Sequence, residues 1–230
     1  MLTYERNINY WNDVFIKADI NSITSKSIGH DDIDKALDWL CEGSDSILDF
    51  GCGSGTWLFK CHLRGSKFHR GIDISKEGIE VAKKIQKESE KENFTFTVGG
   101  VETLESIPEN SFDGVILSNI IDNLIPSDTI KALAEVKRIL KIDGKVLIKL
   151  NPFLTDKQIK EWDIKIIEKN LLDDGLYLWN QTTEEWTKLL GSYFSIVKYK
   201  DIYYPEHEQY NRLFLLYNDK KGENYGQENQ

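Results

Sequence analysis

The sequence predicts an α/β fold, a doubly wound and mostly parallel sheet of seven strands with an antiparallel last strand. Three observations carry that prediction. Strand-like and helix-like segments alternate across residues 31–150, the pattern that lays helices on both faces of a parallel sheet. The run ILDFGCGSG, residues 47–55, joins a buried strand to a helix through three glycines. Near the end, strand-like residues 194–204 and 211–218 stand only six residues apart, a link that suits a hairpin, because a parallel crossover needs about a dozen residues or more.

Each element has its own reason. Residues 31–41 place Ile33, Ala36, Leu37 and Leu40 on one helical face and stop before Gly43. The first strand, 46–52, carries Ile47, Leu48, Phe50 and Cys52, apolar as a strand covered on both faces must be. A helix over 56–63 and a short strand over 68–74 follow. Residues 76–91 form an amphipathic helix through Ile79, Ala82 and Ile85, and 94–98 form the third strand. The fourth strand is 112–118, the next helix 127–140 and the fifth strand 145–150. A segment at 153–191 interrupts the alternation as an insertion. Within it, the capping box from Thr182 to Glu185 opens a helix that carries Trp186 toward the core. The chain thus divides into an aromatic lid segment at 1–30, one domain at 31–218, and a polar, flexible tail at 219–230.

Bulk properties restrict the function. A chain of 230 residues with 40% hydrophobic and 29% charged content forms one substantial core. Its formal charge of −9 repels polyanions, so neither nucleic acid nor an anionic membrane is an expected partner. The lysines at 83, 84 and 87 are interleaved with Glu80, Glu88, Glu90 and Glu92, a solvated helix face. Cys41, Cys52 and Cys61 make no CxxC pair and are odd in number, which points to structural thiols in a reducing compartment. The first residues lack the order of a secretory signal and no long apolar run occurs, so the expected location is the cytoplasm. No metal is expected.

The glycine turn carries the chemistry. Asp49, Gly51, Gly53 and Gly55 end a strand on an acid and then free the backbone to approach a ligand closely. Amides at the following helix start favour an electron-rich group. A dinucleotide fingerprint needs a small residue three places after its second glycine, and the chain has Thr56 or Leu58 there. A P-loop needs Gly-Lys-Ser/Thr, which is missing from the turn. The pattern Asp-x-Gly-x-Gly-x-Gly instead resembles the first motif of class I S-adenosylmethionine-dependent methyltransferases, and the C-terminal hairpin resembles the same fold.

That resemblance implies S-adenosylmethionine as cofactor and assigns residues to it. Asp49, Gly51, Cys52 and Gly53 would hold its methionine part. Asp73, 22 residues after Gly51 and at the end of the second strand, matches the acid that accepts from both ribose hydroxyls, with Ile74 beside it; a helix-capping role is the alternative. In VGGVETL, Gly99 and Glu102 match the family, but Gly100 replaces the aspartate that meets the adenine amino group in many relatives, leaving Val101 and Glu102 as the adenine contacts. SFDGVILSNIIDNL resembles the fourth motif, which places Asn119 at the methionine end. Asp122 and Asn123 follow toward the substrate, with a capping role the equal alternative for either; Asn123 stands where relatives often have His and cannot serve as a base, whereas Asp122 could. Asn151-Pro152-Phe153 is similar to a nucleobase amino-methyltransferase signature but follows the wrong strand, and reads as a turn.

Tyr10 and Trp11 resemble the aromatic lid of small-molecule methyltransferases, and Tyr177 and Trp179 in the insertion are further candidates; Trp11, Tyr177 and Trp179 would equally serve as core. The resemblance implies methyl transfer to a nitrogen, oxygen or carbon of a small molecule, for which a dedicated base is optional and no catalytic residue is assigned. A non-catalytic cofactor-binding partner subunit is the alternative. Oligomeric state is not legible.

Overall fold

The computed structural model describes residues 2–18 and 23–219. Two helices precede the sheet, α1 (Glu5–Ile16) and α2 (Asp31–Cys41). The second buries Ile33, Ala36, Leu37 and Leu40, and its first turn holds Asp31, Asp32 and Asp34, which complement the helix dipole. Alternation then runs through β1 (Ser46–Phe50), α3 (Thr56–His62), β2 (Phe68–Asp73), α4 (Lys76–Glu88), β3 (Phe94–Val98), α5 (Val101–Leu104), β4 (Phe112–Ser118), α6 (Pro126–Ile139) and β5 (Leu140–Leu150). The segment after β5 folds as α7 (Asp156–Glu161), the short strands β6 (Lys165–Glu168), β7 (Leu171–Asp173) and β8 (Tyr177–Trp179), and α8 (Thr183–Gly191). β9 (Ser195–Tyr204) and β10 (Gln209–Asn218) complete the chain.

The seven-stranded sheet has the order β3-β2-β1-β4-β5-β10-β9, with β6, β7 and β8 forming a separate three-stranded sheet. Strands β1 to β5 pair in parallel, while β10 is antiparallel to both β5 and β9. The predicted hairpin therefore inserts its second strand between β5 and β9. Because strand side chains alternate, β1 feeds two cores. Leu48 and Phe50 join Trp186, Phe214 and the apolar face of α6, whereas Ile47 joins α2, α3 and α4.

The structure refines several boundaries. α4 stops at Glu88, short of the expected residue 91, and Glu90 and Asn93 then take left-handed φ angles of 49° and 65°. β5 begins at Leu140, not 145, because Asp143 turns within it at φ 61° and the ladder with β4 shifts register there. The expected capping box is present, and Trp186 is fully buried on its helix. Residues 5–16, expected only as a lid segment outside the alternation, form a three-turn helix. All three cysteines are free and buried. Among the described residues no helix is long and apolar enough to cross a membrane. Apart from Asp219, the predicted tail lies outside the described residues.

Candidate active site

The carboxyl ends of β1, β2, β3 and β4 open into one cavity of about 230 Å³, which α1 roofs. Its floor is the glycine turn. Gly51 and Gly53 take φ angles of 83° and 52°, and the amides of Gly51 and Cys52 both donate to the Ile72 carbonyl, at 2.8 and 3.1 Å. A Cβ on Gly53 would stand 2.5 Å from Phe15 Cζ, so glycine lets the roof helix come down onto the turn.

Two carboxylates underlie this floor. Asp73 Oδ2 accepts from the Gly53 amide and Oδ1 from the Ser75 amide, each at 2.7 Å. Burial raises its pKa, opposed by those two hydrogen bonds. Asp49 is only 3% exposed, its Oδ1 has no hydrogen-bond partner, and burial followed by the charge of Asp73 pushes its pKa well above the usual carboxylate range. Such an oxygen costs free energy until a donor meets it.

Asn119, at the end of β4, holds a left-handed φ of 52°. Its Oδ1 accepts from Lys149 Nζ at 2.8 Å and its Nδ2 donates to Asn151 Oδ1 at 3.0 Å, which fixes the amide. Burial lowers the Lys149 pKa to about 8. Asn123 is held likewise, donating to the Tyr177 carbonyl at 2.7 Å and accepting from Asn151 Nδ2 at 2.9 Å.

The roof is one helical face, Tyr4, Asn7, Trp11 and Phe15. Both ends are pinned. Tyr4 donates to Asp128 Oδ2 at 2.8 Å and accepts from the Ile125 amide at 3.0 Å, at the start of α6. Asn12 Oδ1 accepts from Ser75 Oγ at 2.8 Å and from the Glu77 amide at 3.3 Å, at the start of α4. Between these anchors Asn7 is 3% exposed, and its Oδ1 has no partner.

Of the residues singled out by sequence, Gly51, Gly53, Asp73, Ile74, Val101, Glu102, Asn119, Trp11 and Asn123 line the cavity. Six others do not. Asp49 lies beneath the turn, and Cys52 Sγ sits on the far side, where it would stand 2.6 Å from a Cβ on Gly71. Tyr10 is 48% exposed and packs edge-on to Trp11. Asp122 is wholly buried, and its Oδ2 accepts from the Asn151 amide and Nδ2 at 2.7 and 3.0 Å. Tyr177 donates to the Thr3 carbonyl at 3.0 Å, and Trp179 packs edge-on to Trp186. The cavity also takes in Ile120 and Leu124, which lie in the fourth motif without an assigned role, and Asn7, Asp128 and Lys131, which no motif marked. The helical spacing of residues 4, 7, 11 and 15 was the readable signal for Asn7.

Comparison with known proteins follows the same lines. Residues 42–206 match the family model described as a methyltransferase domain. The chain is 29% identical over 164 residues to the uncharacterized methyltransferase YcgJ of Bacillus subtilis, covering 70% of this chain and 60% of that one. It is 26% identical over 199 residues to the tRNA N(3)-methylcytidine methyltransferase trm140 of Schizosaccharomyces pombe, covering 82% and 64%. The chain thus spans under two thirds of the length of either relative. Among solved structures, N-methyltransferase NodS from Bradyrhizobium japonicum, in complex with S-adenosyl-L-homocysteine, superposes with a TM-score of 0.65 at 12% identity, over 93% of this chain and 98% of that one. Since the matching family model spans well over half the sequence, including the glycine turn and the five parallel strands, the chain belongs to the methyltransferase domain family.

Proposed function

We propose that the protein binds S-adenosylmethionine in the roofed cavity and transfers its methyl group, by in-line displacement, to a nitrogen, oxygen or carbon of a small molecule. The observation that carries this is the cavity itself. It brings the glycine turn, the strand-end acid Asp73 and the fixed amide of Asn119 to one wall, and it leaves the buried Asn7 oxygen without a donor. These residues fit the cofactor. Asp73 keeps lone pairs beyond its two backbone bonds for the ribose hydroxyls, and Ile74 and Val101 give apolar contact for the adenine. Gly100 lacks the aspartate common in relatives, yet a Cβ there would lie 2.8 Å from Glu102 Oε2, so the Glu102 carboxylate occupies that place.

The sulfonium supplies an already activated methyl group. What the chain adds is alignment and exclusion of water, and orientation alone contributes about 7 to 11 kcal/mol in favourable cases. Trp11 and Phe15 close the roof, while Lys149 and Asn151 hold Asn119 in one orientation. The net charge of −9 supports a small acceptor over a polyanionic one.

Two measurements test the reading. Calorimetric titration should show saturable binding of S-adenosylhomocysteine; none at millimolar ligand, with NAD or ATP binding instead, would sink it. Transfer of labelled methyl from S-adenosylmethionine to a small-molecule panel, with bulk tRNA and protein as competitors, should label the panel. Label entering only macromolecules would overturn the acceptor class.

A further inference from the structure

A second hollow, of about 500 Å³, abuts the roofed cavity and shares Asn123 with it. Besides Asn123, its walls are the segment after β5 with α7, β8 and the turn before it, and the turn between β9 and β10 with Gln209. We propose that this hollow seats the methyl acceptor and selects an organic cation with an apolar body. The inference rests on the methyltransferase reading above and deepens it.

Asn123 faces both spaces, and its side chain is locked by Tyr177 on one side and Asn151 on the other. The hollow and the methyl-donor cavity therefore meet at one fixed amide. The volume falls within the range of about 300 to 1,000 Å³ typical of small-molecule sites.

Pro152, Leu154 and Leu176 give the walls an apolar body. The charged side chains there are Asp174 and Glu208, with His207 on the same turn as Glu208, and neither lysine nor arginine appears in the lining. Trp162, 57% exposed, also lines the hollow. An aromatic ring and carboxylates lining one hollow attract organic ammonium groups through the ring quadrupole and through charge. A carboxylate or phosphate would meet two acids and no lysine or arginine. Nucleic acid is disfavoured twice, by this lining and by the charge of the whole chain.

The test uses the full chain saturated with S-adenosylhomocysteine, whose own binding is recorded in the same titration. Matched probes share one apolar body and differ in the head group: phenethylamine, 2-phenylethanol and 3-phenylpropionate, with cyclohexyl and alkyl sets alongside. Amines should bind about tenfold or more tightly than their neutral partners, and carboxylates should not bind detectably. Asp174→Asn combined with Glu208→Gln should remove most of that preference, and Trp162→Ala should weaken the amines about tenfold, both variant proteins binding S-adenosylhomocysteine like the parent. Equal or tighter binding of the carboxylates, no amine binding at millimolar concentration, or an amine preference that survives both changes would overturn the proposal. Loss of S-adenosylhomocysteine binding by the parent protein would instead sink the underlying methyltransferase reading.

Discussion

Replacing Asp73 by asparagine tests the cofactor assignment most directly, because this carboxylate tethers the glycine turn and is also the residue proposed to hold the ribose. At present each oxygen receives one backbone amide, Gly53 on one side and Ser75 on the other, both at 2.7 Å. Asp73→Asn retains one acceptor and turns an NH₂ group toward the other amide, so one buried donor loses its partner at a cost of about 1 to 3 kcal/mol. Part of this is returned, since burial already disfavours the charged form. A net stability loss of about 1 kcal/mol is expected. Affinity should change far more. One or two charge-assisted hydrogen bonds to ribose hydroxyls are worth about 2 to 4 kcal/mol, so S-adenosylhomocysteine should bind about 30-fold to 1000-fold more weakly. Calorimetry with the 2′-deoxy and 3′-deoxy analogues separates the ribose contact from the tether on the glycine turn. Removing a hydroxyl should penalise the parent strongly and the variant little. Asp122→Asn, buried and off the cavity wall, should bind S-adenosylhomocysteine like the parent. Parent-like affinity in the Asp73 variant, or an equal deoxy penalty in both proteins, would refute the ribose assignment.

Further outcomes follow from the same geometry. The Asp49 pKa is raised above its unfolded value near 4, so its ionisation destabilises the native state as pH rises through that interval, and stability is fully present only below it. Asp49→Asn should therefore stabilise the ligand-free protein at pH 8 by about 1 to 3 kcal/mol and leave it near parity at pH 4 in urea titrations; a variant less stable at pH 8 would contradict this. Gly53→Ala must strain a φ of 52° and displace a ring 2.5 Å away. It should speed hydrogen exchange across residues 5–16, with partial recovery on adding Phe15→Ala, and unchanged exchange would show that the roof does not rest on the turn. Tyr4→Phe removes one donor and strands the Ile125 amide, at about 1 to 2 kcal/mol. If α1 is a movable cover, S-adenosylhomocysteine should dissociate several-fold faster from this variant in stopped-flow measurements, whereas strong protection of α1 that ignores both ligand and mutation would mark it as fixed core.

Local chemistry was legible wherever neighbouring residues supply it. The turn at 47–55, the acid at Asp73, the strand-end Asn119 and the capping box at Thr182 each depend on residues a few places apart, and each stands where expected in the fold. Boundaries drifted where a left-handed residue broke a periodic run, at Glu90 and Asp143. Tyr10 and Trp11 stand out in the sequence as a lid because aromatics are conspicuous. Once α1 forms, its 3.6-residue period turns Tyr10 outward and brings Tyr4, Asn7 and Phe15 down with Trp11. Aromatic content carries no such phase.

The sequence by itself determined the parallel sheet, its closing hairpin and the glycine turn, since alternation, glycine spacing and link length are properties of consecutive residues. Only the tertiary structure decided what surrounds the turn. Asp128 and Lys131 reach the cavity because α6 starts beside it, and Asp122 is withdrawn because Asn151, 29 residues on, takes its carboxylate. Folding three short strands after β5 into their own sheet carries Tyr177 and Trp179 off the cavity wall. These placements arise from contacts between residues far apart in the chain, where burial and hydrogen bonding, not local pattern, set the outcome.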